Sequence, residues 1–299
     1  MTNIEWTNET WNPTTGCDRI SPGCDNCYAL TMAKRLKGMG SAKYQNDGDP
    51  RTSGPGFGIT GHPDTLGEPL RWKKPRRVFV NSMSDLFHAR VTTSLITDVW
   101  KIMAATPQHT YQILTKRASR LAPVLAKVHA ELGLTEPLPN VWLGVSVENQ
   151  KYADLRIPAL LAAPAAIRFL SCEPLLGPAW IGDYVWQPCA CCDGEGHDEA
   201  CARCADTGCD SGHIRKLDWV IVGGESGPGA RPMDTAWVGS LIKQCRDAGT
   251  AVFVKQLGSV WARDMAWGGK TVAGHGDTKG GTPDYWPTHL RVREYPTPA

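Results

Sequence analysis

Three cysteines near the start of the chain have the types and spacing of metal ligands: Cys17, Cys24 and Cys27 lie within eleven residues. A structural zinc site is normally closed by four protein ligands, whereas a cubane iron-sulfur cluster held by three cysteines leaves one iron open to a substrate or cofactor. Pro22 and Gly23 predict a turn that would bring the thiolates around a metal. We therefore expect these three residues to be metal ligands in a catalytic site.

A second cysteine cluster lies between residues 187 and 216, which we predict to be a zinc-binding insertion. Two pairs with two intervening residues are typical of zinc sites, since each pair binds one metal through a tight turn. The preferred zinc ligands are Cys189, Cys192, Cys201 and Cys204, with Cys191, Cys209, His197 and His213 as substitutes. The first pair, with its following glycines, resembles the zinc module of the Hsp40 chaperones. Such a zinc ion either stabilises a long loop or supports a lid or a nucleic-acid contact.

Short apolar segments alternate with helical segments along most of the chain. Seven strands are expected, in the first segment up to Trp11 and near residues 78–80, 111–114, 141–145, 167–170, 219–222 and 251–254. Helices are expected over about 29–36, where Gly38 closes the helix, and over 93–105, 119–129, 152–161 and 235–248. This alternation predicts an α/β fold with parallel strands. We favour a partial or complete (βα) TIM-type barrel over a doubly wound open sheet, because polar residues follow nearly every strand.

Such a barrel would gather the polar residues that follow its strands at one mouth. Three acidic residues and two lysines stand at these strand ends, which makes them candidates for catalysis: Glu148, Glu173, Glu225, Lys116 and Lys255. Taken singly, residues that follow strands are more often helix caps or loop polar groups. Their number at six strand ends favours a reactive site.

Composition bounds the remaining possibilities. The chain of 299 residues has 41% hydrophobic residues and a net charge of +2, so charge alone indicates neither a nucleic-acid nor a membrane partner. Without a signal peptide or an apolar run of about 18 residues, we expect a cytoplasmic protein that uses its cysteines for metals.

We expect one barrel domain over 1–299, with an irregular C-terminal wrap over 258–299. The basic run 71–77 is either a solvated surface or, through Trp72, a nucleic-acid contact.

With these motifs in view, the chain resembles the phage Gp37/Gp68 family, a three-cysteine-motif family related to radical S-adenosylmethionine enzymes. The resemblance covers most of the chain and rests on residues 5–7, 11–13, 16–28, 80–87, 114–117, 143–148, 171–174, 222–227 and 255–256. Radical S-adenosylmethionine enzymes usually have three residues in the first gap of the cysteine motif. This chain has six, and its aromatic residue, Tyr28, follows the last cysteine.

The resemblance implies that Cys17, Cys24 and Cys27 bind a [4Fe-4S] cluster whose fourth iron chelates S-adenosylmethionine. One electron from an external donor would then cleave the cofactor to a 5'-deoxyadenosyl radical. It also implies cofactor contacts from Asn81, Ser82, Ser84 and Asp85 to the methionine amino group, and from Ser146, Glu148 or Glu173 to the ribose. A cluster in such a phage protein would work in the host cytoplasm.

Two hypotheses on function follow. The first is a radical enzyme that acts on a nucleic-acid base, a nucleoside or a related small molecule in phage DNA modification or repair. The second is a non-catalytic, zinc-bound nucleic-acid-binding protein on a barrel scaffold. Metal analysis distinguishes them, because the enzyme requires iron and sulfide besides zinc. The sequence leaves the substrate, the reaction outcome and the oligomeric state open.

Overall fold

The structure is a computed structural model that describes residues 4–188, 213–215 and 217–297. The chain divides into two compact units. The first comprises Met1–Ser146 and Ala159–Ala166, and the second comprises Val147–Pro158 and Ile167–Ala299. The preferred zinc ligands lie outside the described residues.

The first unit alternates strands with helices. Its elements are β1 (Glu9–Trp11), β2 (Thr14–Thr15), α1 (Tyr28–Gly38), β3 (Thr60–Gly61), β4 (Arg77–Val80), α2 (Thr93–Ala104), β5 (Thr110–Thr115), α3 (Leu121–Leu132) and β6 (Val141–Ser146). Strands β1, β4, β5 and β6 pair in that order, and all three pairings are parallel. Val80 is in register with both Trp11 and Ile113, so the residues that follow these strands emerge at the same edge.

Helix α4 (Gln150–Leu161) leads to the strands of the second unit. The elements of that unit are β7 (Ile167–Cys172), α5 (Gly182–Val185), β8 (Trp186–Pro188), β9 (His213–Arg215), β10 (Trp219–Gly223), α6 (Thr235–Asp247), β11 (Ala251–Gln256), α7 (Ser259–Asp264), β12 (Ala266–Trp267) and β13 (Lys270–Thr271). Strands β7, β10 and β11 pair in parallel, with Val222 in register with both Cys172 and Val254. Strands β8 and β9 form an antiparallel pair.

The structure confirms the mixed α/β class and the parallel direction of the strands. The helices also lie where the sequence predicts them, because their apolar residues recur at helical spacing. Helix α2 begins after Thr92, whose hydroxyl accepts from the amide of Leu95 at 3.3 Å, and α6 begins after Asp234, which caps Ala236 at 2.8 Å. Both residues are typical N-caps, since their side chains satisfy an amide that the helix leaves unpaired.

Buried aromatic side chains pack together within each unit. In the first unit, Trp11 packs against Tyr111 with ring centroids 5.8 Å apart, and both side chains are buried. In the second unit, Trp219 contacts Phe169 and Phe253 at 5.8 and 6.2 Å between centroids. Large aromatic side chains bury enough area to dominate such cores.

The C-terminal tail packs on the edge strand of the second unit. The amide of Val254 donates to the carbonyl of Val292 at 2.8 Å, and the amide of Glu294 donates to the carbonyl of Val252 at 2.9 Å. The indole of Trp219 reaches the carbonyl of Glu294 at 2.9 Å. The tail therefore covers the free backbone groups of β11.

Among the described residues, no helix has the length and apolar character needed to cross a membrane.

Candidate functional site

The loop that carries the three cysteines leaves β2 through Gly16, whose φ is +88°. A Cβ atom at this residue would lie 2.2 Å from the carbonyl oxygen of Gly58, so this close approach excludes a side chain. The amide of Gly16 donates to the carbonyl of Met83 at 3.0 Å, and its own carbonyl accepts from Ser84 Oγ at 2.7 Å. These contacts fix the start of the loop at the carboxyl end of β4.

The three thiols line one cleft in the first unit. Pro22–Cys24 form a single 3-10 turn, and Cys27 is the N-cap of α1. Cys17, Cys24 and Cys27 are free and partly exposed. The cleft is open to solvent and is also lined by Asp18, Arg19, Leu30, Thr52 and Phe57. The structure thus brings together the three cysteines that the sequence selects.

Burial controls the protonation of two of these thiols. It raises the pKa of Cys17 to about 12, an effect that Asp85 increases and Arg117 opposes. Burial likewise raises the pKa of Cys27, and the charge of Lys116 opposes this rise. Cys24 acts to raise both pKa values. Cys17 and Cys27 are therefore protonated at neutral pH, and metal binding must release their protons.

Within residues 4–188, 213–215 and 217–297, no three His, Cys, Asp or Glu side chains form a group that could hold one metal ion. Ligands of a single zinc ion all lie about 2.3 Å from the same point, so their atoms must converge closely. A cubane cluster requires less convergence, since each thiolate binds its own iron.

Arg117 is a polar partner of the cysteine loop that the sequence analysis did not select. Its Nη1 lies 3.3 Å from the sulfur of Cys17 and 3.0 Å from Asp85 Oδ2, and its Nη2 donates to the carbonyl of Asp18 at 2.9 Å. In the sequence, its signals are its position just after β5, beside Lys116, and its place in the segment 114–117 that carries the family resemblance. Residues adjacent in sequence often point in different directions, so the sequence could not show which of the two reaches the sulfur.

Asp18, which follows the first cysteine, anchors the loop to two other segments. Its carboxylate accepts from Thr52 at 2.8 Å, Ser53 at 3.1 Å and Arg90 at 2.9 Å, and it lies 3.0 Å from His88 Nε2. Burial acts to raise the pKa of Asp18, but these hydrogen bonds hold this pKa below its usual range. Sequence analysis did not select Asp18 or His88 either.

The residues predicted to contact the methionine amino group hold the backbone around the cysteine loop. Asn81 has a φ of 62°, and its amide donates to Thr14 Oγ1 at 2.8 Å. Ser84 accepts from the same Thr14 hydroxyl at 3.0 Å, and Ser82 donates to Asn12 at 3.2 Å. These hydrogen bonds connect the segment after β4 to the segment after β1.

The fourth of these predicted contacts, Asp85, lies at the end of the same segment and is buried. It accepts from Thr115 Oγ1 at 2.7 Å and from the amide of Lys116 at 3.1 Å, in addition to Arg117. Asp85 therefore positions the turn that follows β5.

Lys116 and Ser146 meet within the first unit. The ammonium of Lys116 donates to Ser146 Oγ at 3.0 Å, and its charge opposes the rise that burial causes in the pKa of Cys27. A cation of the predicted catalytic set thus lies between the end of β6 and the cysteine loop.

In the second unit, Glu173 and Lys255 form an ion pair at the ends of β7 and β11. Lys255 Nζ lies 3.0 Å from Glu173 Oε1, while Ser171 donates to Oε2 at 3.4 Å. A Cβ atom on Gly223 would lie 2.9 Å from the same Oε1, so the absence of a side chain there makes room for the carboxylate. Both charged side chains remain partly exposed.

The other two acidic candidates pair with arginines. Glu225 receives Nη2 of Arg231 at 2.6 Å, as well as the Nε and the amide of that residue. Glu148 receives Arg156 at 2.8 Å and is fully buried. Of the three acidic candidates, Glu173 is the most accessible, and it has a lysine as partner.

Most of the predicted zinc ligands lie outside the described residues: Cys189, Cys191, Cys192, Cys201, Cys204, Cys209 and His197. Of His213, only the backbone, in β9, is described.

In the basic run 71–77, Trp72 is half-buried. Its ring contacts His109 edge-to-face at 5.6 Å, and the guanidinium of Arg76 lies 5.2 Å from its centroid. The ring of Trp72 is thus engaged within the first unit.

Residues 1–287 match the model of a family described as "Protein of unknown function (DUF5131)". The chain belongs to this family. No curated protein and no solved structure matches it. The DUF5131 description specifies no cofactor or reaction, so the likeness to phage Gp37/Gp68 proteins and to radical S-adenosylmethionine enzymes stays a prediction.

Proposed function

We propose that this chain is a radical S-adenosylmethionine-type enzyme whose [4Fe-4S] cluster is bound by Cys17, Cys24 and Cys27. The observation that carries the proposal is that these three thiols line one open cleft. The cleft follows the first strand of a parallel α/β arrangement. Three cysteine ligands leave one iron of a cubane cluster open for a cofactor.

When bound, such a cluster supplies one-electron reductive cleavage of S-adenosylmethionine. The chain's own residues bind the irons, orient them and offset their charge. Cys17 and Cys27 must lose their protons to bind iron, and the neighbouring cations Arg117 and Lys116 favour their thiolate forms. The apolar side chains of Leu30 and Phe57 line the same cleft and restrict water there.

The finer features of the proposal follow from the sequence. The parallel strands belong to a partial (βα) barrel, and a zinc ion bound by Cys189, Cys192, Cys201 and Cys204 closes the Cys-rich insertion. The substrate is a nucleic-acid base, a nucleoside or a related small molecule, and an external donor supplies the electron. Glu173 and Lys255 are the candidates for proton transfer, since both are partly exposed and pair at 3.0 Å.

Anaerobic reconstitution with ferrous iron and sulfide tests this function. We expect about four irons and four sulfides per chain, with a broad absorbance near ~400 nm, and release of 5'-deoxyadenosine from S-adenosylmethionine under reduction. Cys24→Ala should abolish all three. Cys245→Ala is the matched control, because Cys245 is buried in α6 and should leave iron content unchanged.

Two results would contradict the proposal. One is full activity in cluster-free protein. The other is zinc without iron at the three cysteines in protein purified and reconstituted without oxygen, which would favour the non-catalytic, zinc-bound nucleic-acid-binding protein.

A further inference from the structure

A single guanidinium connects the first cysteine to the strand end that faces it. Arg117 donates from Nη1 to the sulfur of Cys17 at 3.3 Å and to Asp85 at 3.0 Å, and from Nη2 to the carbonyl of Asp18 at 2.9 Å. Its side chain is only 11% exposed. The group therefore contacts Cys17 through its sulfur and the next residue through its backbone.

The position of this guanidinium is fixed from its own strand. Asp85, which is 7% exposed as a side chain, accepts from Thr115 and from the amide of Lys116 besides Arg117. The amide of Arg117 in turn donates to Thr115 Oγ1 at 2.9 Å. A buried carboxylate thus sets the turn after β5, and this turn directs the guanidinium at the sulfur.

We propose that Arg117 is a positioning residue for the cluster, which orients Cys17 as an iron ligand and raises the reduction potential of the cluster through its N–H···S hydrogen bond. The inference rests on the proposed function. Hydrogen bonds to the ligand sulfurs and the net charge around them are main determinants of the potential of such clusters. A cation that donates to a thiolate stabilises the reduced cluster, which carries one more electron, and so eases its reduction by an external one-electron donor.

The geometry requires arginine at this place. The guanidinium is planar and presents several donors in a fixed fork, whereas a lysine has one nitrogen on a flexible stem. Three acceptors on three different residues, Cys17, Asp18 and Asp85, are met at once by the two Nη atoms. A lysine would keep the charge and lose part of this arrangement.

The test compares Arg117→Gln and Arg117→Lys with wild type after anaerobic reconstitution, by iron content and by redox titration followed through absorbance or electron paramagnetic resonance. We expect a more negative midpoint potential in Arg117→Gln and an intermediate shift in Arg117→Lys. Arg120→Gln is the control, because it removes the same charge three residues away. The Arg120 guanidinium donates to the carbonyls of Ala89 and Val91. The midpoint potential of the Arg120→Gln variant should equal that of wild type.

The outcomes separate this inference from the function on which it rests. Wild type that binds no cluster overturns both. Wild type with a cluster, together with an Arg117→Gln potential equal to that of wild type, overturns only the role of Arg117. An equal shift of the midpoint potential in Arg120→Gln would also overturn the role of Arg117, since the effect would then come from net charge alone. Loss of iron in both Arg117 variants, with unchanged thermal unfolding and full iron in Arg120→Gln, would support the positioning role.

Discussion

The carboxylate of Glu148 accepts a hydrogen bond from Nη1 of Arg156 at 2.8 Å, and the two side chains are 0% and 3% exposed. The guanidinium carbon of Arg156 also lies 4.3 Å from the ring centroid of Tyr152. Removing one partner of a buried ion pair leaves a charge without compensation, which costs about 3–5 kcal/mol. We expect Arg156→Met to lower the free energy of unfolding by about this amount in urea denaturation.

Two comparisons sharpen this prediction. The double variant Glu148→Gln with Arg156→Met should recover part of the loss, because no buried charge is left unpaired. Lys243→Met removes a cation from the exposed ion pair with Asp247 in the same unit and should have little effect. A single Arg156→Met variant as stable as Lys243→Met would show that the buried pair contributes little.

Gly16 and Gly40 make a matched test of the packing at the start of the cysteine loop. Both have positive φ values, +88° and +76°, but a Cβ atom on Gly16 would lie 2.2 Å from Gly58 O, whereas nothing lies within 4 Å of one on Gly40. Gly40→Ala should therefore cost only the backbone strain, about 1–2 kcal/mol. Gly16→Ala should cost more and displace the loop, with loss of bound iron after reconstitution. Equal thermal stability and equal iron content in the two variants would contradict the close approach.

His109 predicts a pH dependence of stability that is independent of the cysteines. Its side chain is 0% exposed, and burial lowers its pKa below the ordinary value of 6.5, with Arg76 acting in the same direction and the carbonyl of Pro69 opposing. The unfolded chain binds a proton near pH 6.5 while the folded protein does not, so this contribution is full above that pH and is lost as the pH falls below it.

The measurement is the free energy of unfolding between pH 7 and pH 5 for wild type and His109→Gln. Burial lowers the pKa of His62, His88 and His129 in the same direction, so the difference between the two profiles reports His109. We expect a steeper decrease on acidification in wild type. Parallel profiles would show that His109 does not contribute.

The zinc prediction is tested by metal content alone. Cys192→Ser should lower zinc from about one per chain and leave iron unchanged, if the two cysteine clusters bind different metals as proposed. Cys24→Ala should lower iron and leave zinc unchanged. If Cys192→Ser and Cys204→Ser both retain full zinc, the metal is not bound by the predicted pairs.

The sequence alone determined the alternation of strands and helices and the place of the three cysteines between a strand and a helix. Helix α1 covers Tyr28–Gly38 and α2 covers Thr93–Ala104, within two residues of the predicted bounds. These features are local, because apolar spacing, glycine and proline positions and capping residues act over a few residues at a time.

Only the tertiary structure decided which polar residues touch the cysteines. Arg117 and Cys17 are separated by 100 positions, and neither residue type nor spacing indicates that they meet. Similarly, Asn81 and Ser84 follow a strand as predicted, yet their side chains contact the segment after β1. The sequence places residues at strand ends, whereas the packing of strands against one another determines the direction and partner of each side chain. That is why the sequence selected Cys17, Cys24 and Cys27 and missed the arginine that contacts the first of them.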